Sequence, residues 1–454
     1  MMTTIELPLW ALILMGVLAA FTAASHLLFP SVRWFFRKRA ERVVARLNRN
    51  LTRPIQPFKL ARRHDMIQNI LYDPDVIRAV NDHAEAEGIP DNVAFEQAQR
   101  YAGEIVPAFS ATLYFAFGIR VARWMATSLY RVRVFSRDAD ALARIDPDAT
   151  VIFIMNHRSN MDYVLVTYLV APDTPLSYAV GEWARVWPLR PIIKMMGGYF
   201  IRRRERNALY RKVLSRYVQL STREQVAQAV FPEGGLSRDG AIGVPKLGLL
   251  SYVLEGFDPR KSNDVVFVPV GLNYDRVLED RALLASSTRA GTRFKFRMSV
   301  VFRYLRRHIL QRLTGRFHRL GFAAVSFGSP ISLKAFYDGD ETDLLERLGS
   351  ALMDEVAEVV PTMPVPLVAQ VLEVTDGTIT RDALQNGFDT LVEILGSRGA
   401  MCLPDAGAEE AVTEAVRMFE ARGLVKVQGD MISITDKHPE VIGYYAASIR
   451  HFLR

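Results

Sequence analysis

The sequence predicts an α/β fold, with a mixed, largely parallel sheet flanked by helices. Two observations carry this. Short β-rich apolar runs stand at Val151–Met155, Gln228–Phe231, Val265–Val270 and Ala323–Phe327, and helical periodicity fills Tyr163 to Ala171, Ala208 to Thr222 and Leu247 to Leu254. Strand-length runs alternating with helices are the pattern of a parallel sheet covered on its faces. Composition agrees: half of the 454 residues are hydrophobic and 23% are charged, as in a chain with a packed core.

Taken in order, the chain divides into 1–30, 31–120, 121–345 and 360–454. Leu7 to Phe29 has no charged side chain, and as a helix these 23 residues would be ~34 Å long, enough to span a bilayer. Arg33, Arg37, Lys38, Arg39 and Arg42 follow at once, which predicts a single-pass anchor in the inner membrane with the bulk of the chain cytoplasmic. A buried core helix or a cleaved signal is the alternative, although Met1 to Glu6 lacks a basic n-region. Residues 31 to 120 read as a helical region in which Ile105 to Ile119 is a core or interfacial helix. The α/β pattern fills 121–345.

The Val360-to-Pro366 segment, with its three prolines, marks a boundary. Beyond it, helices and a β-turn-β piece at Val425 to Ile434, turning at Gly429-Asp430, predict a small winged-helix-like module over 360–454. That stretch has no dense basic cluster, so nucleic acid is not the expected partner.

The net charge of +8 attracts anions. Residues 289 to 319 carry Arg289, Arg293, Lys295, Arg297 and six further arginines with no acidic residue, interleaved with Phe294, Phe296, Phe302, Tyr304 and Phe317. This fits an anionic bilayer surface, a nucleic acid or a solvated basic face; the N-terminal span favours lipid. Cys402 is the only cysteine, which excludes an internal disulfide and a cysteine-based metal site and suits a reducing compartment.

Four segments carry the chemistry. In Asn156-His157-Arg158-Ser159-Asn160-Met161-Asp162 an apolar strand runs into the histidine, and Asp162 opens a helix. Five residues apart, the pair does not share a helix face, but it meets if His157 lies in the turn and Asp162 in the first helical turn. The carboxylate then fixes the tautomer, and the other ring nitrogen takes a proton as a general base. Alone, such a pair reads by default as a structural hydrogen bond. Gly197-Gly198-Tyr199-Phe200-Ile201-Arg202-Arg203-Arg204 offers close backbone approach and planar forks for phosphate, or a solvated cluster. Phe231-Pro232-Glu233-Gly234-Gly235-Leu236-Ser237 and Val268-Pro269-Val270-Gly271 are ordinary turns when taken singly. Three of the four follow predicted strands, which is the layout of a site at the carboxyl edge of a sheet.

In this order the segments resemble the four motifs of the glycerolipid acyltransferases: His-x4-Asp, Gly-x-x-Phe-Ile-Arg-Arg, Glu-Gly-x-x-Ser and a Val-Pro motif. The likeness is closest to the long glycerol-3-phosphate acyltransferases, covers about residues 95 to 335, and returns at Tyr444-Tyr445 and the helix to Phe452. It implies an acyltransferase domain in which His157 deprotonates the 1-hydroxyl of glycerol 3-phosphate and Asp162 orients it. Arg202 and Arg203 would hold the acceptor phosphate. Gly198, Phe200, Ile201, Glu233, Gly234, Gly235, Ser237 and Pro269 would shape the acceptor site, with backbone N–H groups near Gly234 and Gly235 facing the oxyanion. Acyl-CoA or acyl carrier protein would be the donor, and no metal or redox cofactor is implied. One departure bears on the acceptor: Leu236 stands where that family commonly has arginine, and Asp239-Gly240-Ala241 replaces its basic end. Lysophosphatidate or dihydroxyacetone phosphate are the alternative acceptors, although Gly235, where lysophosphatidate acyltransferases usually carry threonine, favours glycerol 3-phosphate. A membrane scaffold without activity is the alternative of another class.

Overall fold

The computed structural model describes residues 15, 38, 42–49, 51–61, 63–136, 138–171, 173–202, 205, 207–287, 319–340, 342–375, 377–402 and 407–454. The chain forms two compact units, Met1–Ile55 and Gln56–Arg454. In the first, residues 42–48 are helical. The span expected over Leu7 to Phe29 lies outside the described residues except for Met15, as does the basic run of 289 to 319 except for Arg319. Among the described residues no helix is long and apolar enough to cross a membrane.

The second unit opens with α1 (Arg63–Leu71), α2 (Pro74–Glu87) and α3 (Asp91–Ile105). The helix expected from Ile105 to Ile119 is interrupted. Val106, pushed to an extended conformation (ψ 123°) by the following Pro107, ends α3. Helical structure resumes at Ala111, passes through a π turn at Tyr114–Gly118, and continues as α4 (Ile119–Leu129).

Eight strands then build one sheet: β1 (Arg131–Ser136), β2 (Thr150–Met155), β3 (Ser177–Gly181), β4 (Tyr199–Ile201), β5 (Gln228–Val230), β6 (Val265–Tyr274), β7 (Phe322–Phe327) and β8 (Ile331–Ser332). Their order is β1-β7-β6-β2-β5-β3-β4, with β8 beside β6. The pairs are parallel except where β6 meets β7 and β8. All of β2 is buried because both faces are covered. Val151, Phe153 and Met155 face one core with α4 and α5 (Met161–Val170). Ile152 and Ile154 face the other, with α1 to α3, α6 (Ala208–Arg223), α7 (Gly248–Glu255) and α8 (Leu344–Glu358).

The last ninety residues comprise α9 (Pro364–Glu373), β9 (Thr378–Thr380), α10 (Arg381–Ser397), α11 (Ala408–Glu420), β10 (Val425–Gln428), β11 (Met431–Ile434) and α12 (Glu440–Ala446). The three strands pair antiparallel in the order β10-β11-β9, and β10 and β11 turn at Gly429-Asp430, where the sequence places the turn. Helix α9 is buried from Pro364 to Leu372 and shares its core with β2 and α5. Asp275 ties this region to the sheet, accepting from Phe322 N at 2.7 Å and Val365 N at 3.1 Å.

Close approach also fixes Gly271 of β6: an added Cβ would lie 2.3 Å from the Val359 carbonyl oxygen. Gly271→Ala is therefore expected to lose about 1–3 kcal/mol of unfolding free energy by overpacking. Chemical denaturation measures this, and an unchanged midpoint would refute the contact.

Candidate active site

At the carboxyl end of β2 the chain leaves the sheet under tight control. The Asn156 side chain acts as an extra peptide unit toward β6, donating to Leu272 O at 2.9 Å and accepting from Leu272 N at 2.7 Å. His157 follows, 1% exposed, and Asp162, fully buried, is the second residue of α5. His157 Nδ1 lies 2.9 Å from Asp162 Oδ2. The same oxygen accepts from the amides of Arg158 at 2.8 Å and Ser159 at 3.0 Å, and Oδ1 accepts from Tyr274 OH at 2.5 Å. The first turn of a helix favours a carboxylate electrostatically. Held against that carboxylate, the imidazole carries its proton on Nδ1 and its lone pair on Nε2. The ring stacks on Phe231, with centroids 4.0 Å apart, and Tyr163 meets it edge-on at 5.4 Å.

Phe231 belongs to the neighbouring loop, which leaves β5. Because β2 and β5 are parallel, with Ile154 beside Val230, the two loops emerge side by side. Glu233 bridges them: Oε1 accepts from His157 N at 2.7 Å and Oε2 from Gly243 N at 3.0 Å. Burial pushes its carboxyl up to about 7, while the two amides pull the other way. Ser237 N donates to His157 O at 2.8 Å, and Ser237 Oγ donates to Ala241 O at 2.8 Å and accepts from Gly240 N. Gly234 has a left-handed φ of 64°, and its N–H is engaged by Phe231 O at 2.9 Å. Of the two amides expected to face an oxyanion, the Gly234 group is thus already committed to the turn.

A cavity of about 1580 Å³ opens over these loops. His157, Ile201, Arg202, Glu233, Gly234, Gly235, Leu236 and Ser237 line it, and Leu214, Val218, Val253 and Leu352 give it an apolar wall. Four expected site residues are not among its lining, the first being Asp162, which is buried behind His157. Gly198 packs against Ile193, Phe200 is core, and Pro269 lies inside β6 rather than after it. Arg203 lies outside the described residues. Arg202 is bound by carboxylates: Nε and Nη2 grip Glu104 at 3.1 and 2.9 Å, and Nη1 donates to Glu205 at 2.9 Å.

The sequence reading misses the supports. Glu279, raised above the ordinary carboxylate range by burial, accepts from Ser159 Oγ at 2.8 Å and Asn160 Nδ2 at 3.0 Å. Its neighbour Asp280 accepts from Arg422 at 2.5 Å and Tyr445 OH at 2.7 Å, and that hydroxyl in turn accepts from Val277 N at 3.0 Å. The acidic pair Glu279-Asp280 and the Tyr444-Tyr445 pair are visible in the chain. Nothing local says that they meet.

Two outcomes follow. Tyr445→Phe leaves buried Asp280 short of a donor and is expected to cost ~1–3 kcal/mol in chemical denaturation; an unaltered midpoint would show that the brace carries no load. Glu233 holds its proton more tightly folded (about 7) than its ordinary 4.5, so wild-type stability falls as pH rises through that window. Glu233→Gln lacks this slope. Its stability relative to wild type should therefore climb between about pH 5 and 7 and level off above; a flat difference would contradict the shifted carboxyl.

Known proteins resemble this chain along most of its length. Residues 133–273 match the family model described as Acyltransferase, and residues 308–453 match that described as Glycerol-3-phosphate acyltransferase C-terminal region. A glycerol-3-phosphate acyltransferase of Pseudomonas syringae pv. syringae (strain B728a) is 26% identical over 89% of this chain and 50% of its own length. The Pseudomonas putida (strain W619) protein of the same name is 27% identical over 91% of this chain and 51% of its own. The chain thus spans about half the length of these curated relatives. A solved 1-acyl-sn-glycerophosphate (LPA) acyltransferase from Thermotoga maritima aligns at 19% identity and a TM-score of 0.33, over 54% of this chain and 77% of that one. With one matched region ending in the central strand that follows His157 and Glu233, and the other running through the tail that braces them, the chain is similar to the glycerol-3-phosphate acyltransferases over most of its length.

Proposed function

We propose that this chain transfers a fatty acyl group from acyl-CoA or acyl carrier protein to the 1-hydroxyl of glycerol 3-phosphate, giving lysophosphatidate. The observation that carries the reading is His157, held 2.9 Å from buried Asp162, on the wall of a cavity shared with the Glu-Gly-Gly turn.

His157 Nε2 takes the hydroxyl proton as the acceptor oxygen attacks the thioester carbonyl carbon. Asp162 stabilises the imidazolium through Nδ1–H. The tetrahedral oxyanion requires a fixed donor, and the Gly235 amide is the candidate left in the turn. As the intermediate collapses the C–S bond breaks, and the thiolate takes the proton back from Nε2. The step balances with two substrates and this pair alone, and we infer no metal or redox cofactor. The apolar wall of Leu214, Val218, Val253 and Leu352 suits the acyl chain. Ile201, Glu233, Gly235 and Ser237 shape the acceptor side, while Gly198, Phe200 and Pro269 act from beneath it.

A second acceptor has one observation in its favour. Leu236 lines the cavity and gives lysophosphatidate, which carries its own acyl chain, an apolar contact. We further infer a site at the cytoplasmic face of the inner membrane, supported by the uncharged stretch Leu7 to Phe29, the arginines after it and the basic-aromatic run of 289 to 319. The helix–strand–helix–helix–strand–strand order of residues 364–434 supports a winged-helix-like module in a role other than nucleic-acid binding.

His157→Ala is expected to lower acyl transfer by ~10²–10⁴-fold with circular dichroism and Tm retained. Radiolabelled glycerol 3-phosphate assayed with both donors, and in competition with lysophosphatidate and dihydroxyacetone phosphate, reads it out. Full activity in the variant would sink the mechanism, and preference for another acceptor would replace glycerol 3-phosphate.

A further inference from the structure

We infer that Lys246 holds the phosphate of the acceptor, a claim that rests on the acyl-transfer reading above. A phosphate monoester brings about two negative charges near neutral pH, and it needs net positive charge at its seat. Of the two arginines that the sequence offers, Arg203 lies outside the described residues and Arg202 is already engaged. Arg202 is gripped by Glu104 and Glu205, and Glu104 also takes Arg185 at 2.8 Å. Among the described residues two guanidiniums face two carboxylates there, so Arg202 brings little net positive charge of its own. Releasing Arg202 to a ligand would also strip a partner from Glu104, whose side chain is 7% exposed.

Lys246 sits differently. Its amide donates to Pro232 O at 2.8 Å, which folds the chain back over the Glu-Gly-Gly turn. Its side chain then lies across Gly234: a Cβ built there would be 2.9 Å from Lys246 Cδ and 3.3 Å from Nζ. The residue beside Gly234 is Glu233, which holds the His157 amide at 2.7 Å. Lys246, Gly234, Ser237 and His157 all line the one cavity. Among the described residues no carboxylate pairs with Lys246, and Leu236 adds no charge where the family resemblance leads one to expect arginine. An ammonium is a compact point charge with three donors, suited to phosphate without a planar match. Gly234 is needed twice over, for its left-handed backbone and because a side chain would displace the lysine stem.

The test uses the full chain with Lys246→Gln and Lys246→Arg. Acyl transfer is measured against glycerol 3-phosphate and acyl-CoA in turn, and glycerol 3-phosphate binding is measured by calorimetry without donor. In Lys246→Gln the acceptor KM and Kd should rise about ten- to a hundredfold, as expected for a lost charged hydrogen bond. The kcat and the KM for acyl-CoA should hold, and arginine should recover part of the loss. Unchanged acceptor KM and Kd would overturn the assignment. So would a fall in kcat alone, which would place Lys246 on the oxyanion, or a rise in KM for acyl-CoA, which would place it on the donor's phosphates. If wild type binds glycerol 3-phosphate but transfers nothing, the acyl-transfer reading fails, and the binding arm still decides the lysine.

Discussion

Around the Asp162 carboxylate, four donors converge inside the protein: the His157 ring, the Arg158 and Ser159 amides and the Tyr274 hydroxyl. An ionised carboxylate without water is expensive unless its lone pairs are filled. Filling them here fixes the backbone of residues 157–159, the imidazole and the end of β6 together. His157 cannot rotate without uncovering a buried charge. The default reading of a lone His–Asp pair as structural is therefore half right. The bond is structural, and its structural work is to fix the ring of a histidine that lines the cavity.

Parallel pairing does the rest of the assembly. Strand β2 lies between β5 and β6, and all three run in the same direction. Their carboxyl ends thus deliver the histidine turn, the Glu-Gly-Gly turn and Tyr274 to one edge, as expected for ligand sites in such sheets. Glu233 then fastens two loops that the sheet has only brought close.

The tail closes the arrangement from behind. Tyr445 and Arg422 hold Asp280, next to the Glu279 that holds Ser159 and Asn160. The Arg158 guanidinium donates to Gly240 O and lies 4.9 Å over the Tyr444 ring. Gly240 itself approaches Tyr444 O so closely that no side chain fits between them. Both the histidine loop and the Glu-Gly-Gly loop thus rest on residues of 422–445, which makes this tail part of the scaffold of the candidate site.

Sequence by itself determined the layered α/β fold, because buried central strands must be apolar along their length and so announce themselves, as Val151–Met155 does. It also made the hydrogen-bonded His157–Asp162 pair and the Glu-Gly-Gly turn legible, because each is a local pattern. Strands β1, β3 and β4 were not legible: β1 alternates Arg131 and Arg133 with valines at the sheet edge, and the other two are short. Strand β6 runs past Val270 because Gly271 and Asn273 interrupt the apolar pattern but not the pairing. Only the tertiary structure decided who pairs with whom. Glu104 reaches Arg202 across 98 residues, Tyr274 reaches Asp162 across 112, and Tyr445 reaches Asp280 across 165. Charge and hydrogen bonding depend on distance in space. An arginine that reads as a phosphate ligand in the chain is thereby paired with carboxylates in the fold, and a lysine with no motif of its own is set across the Glu-Gly-Gly turn.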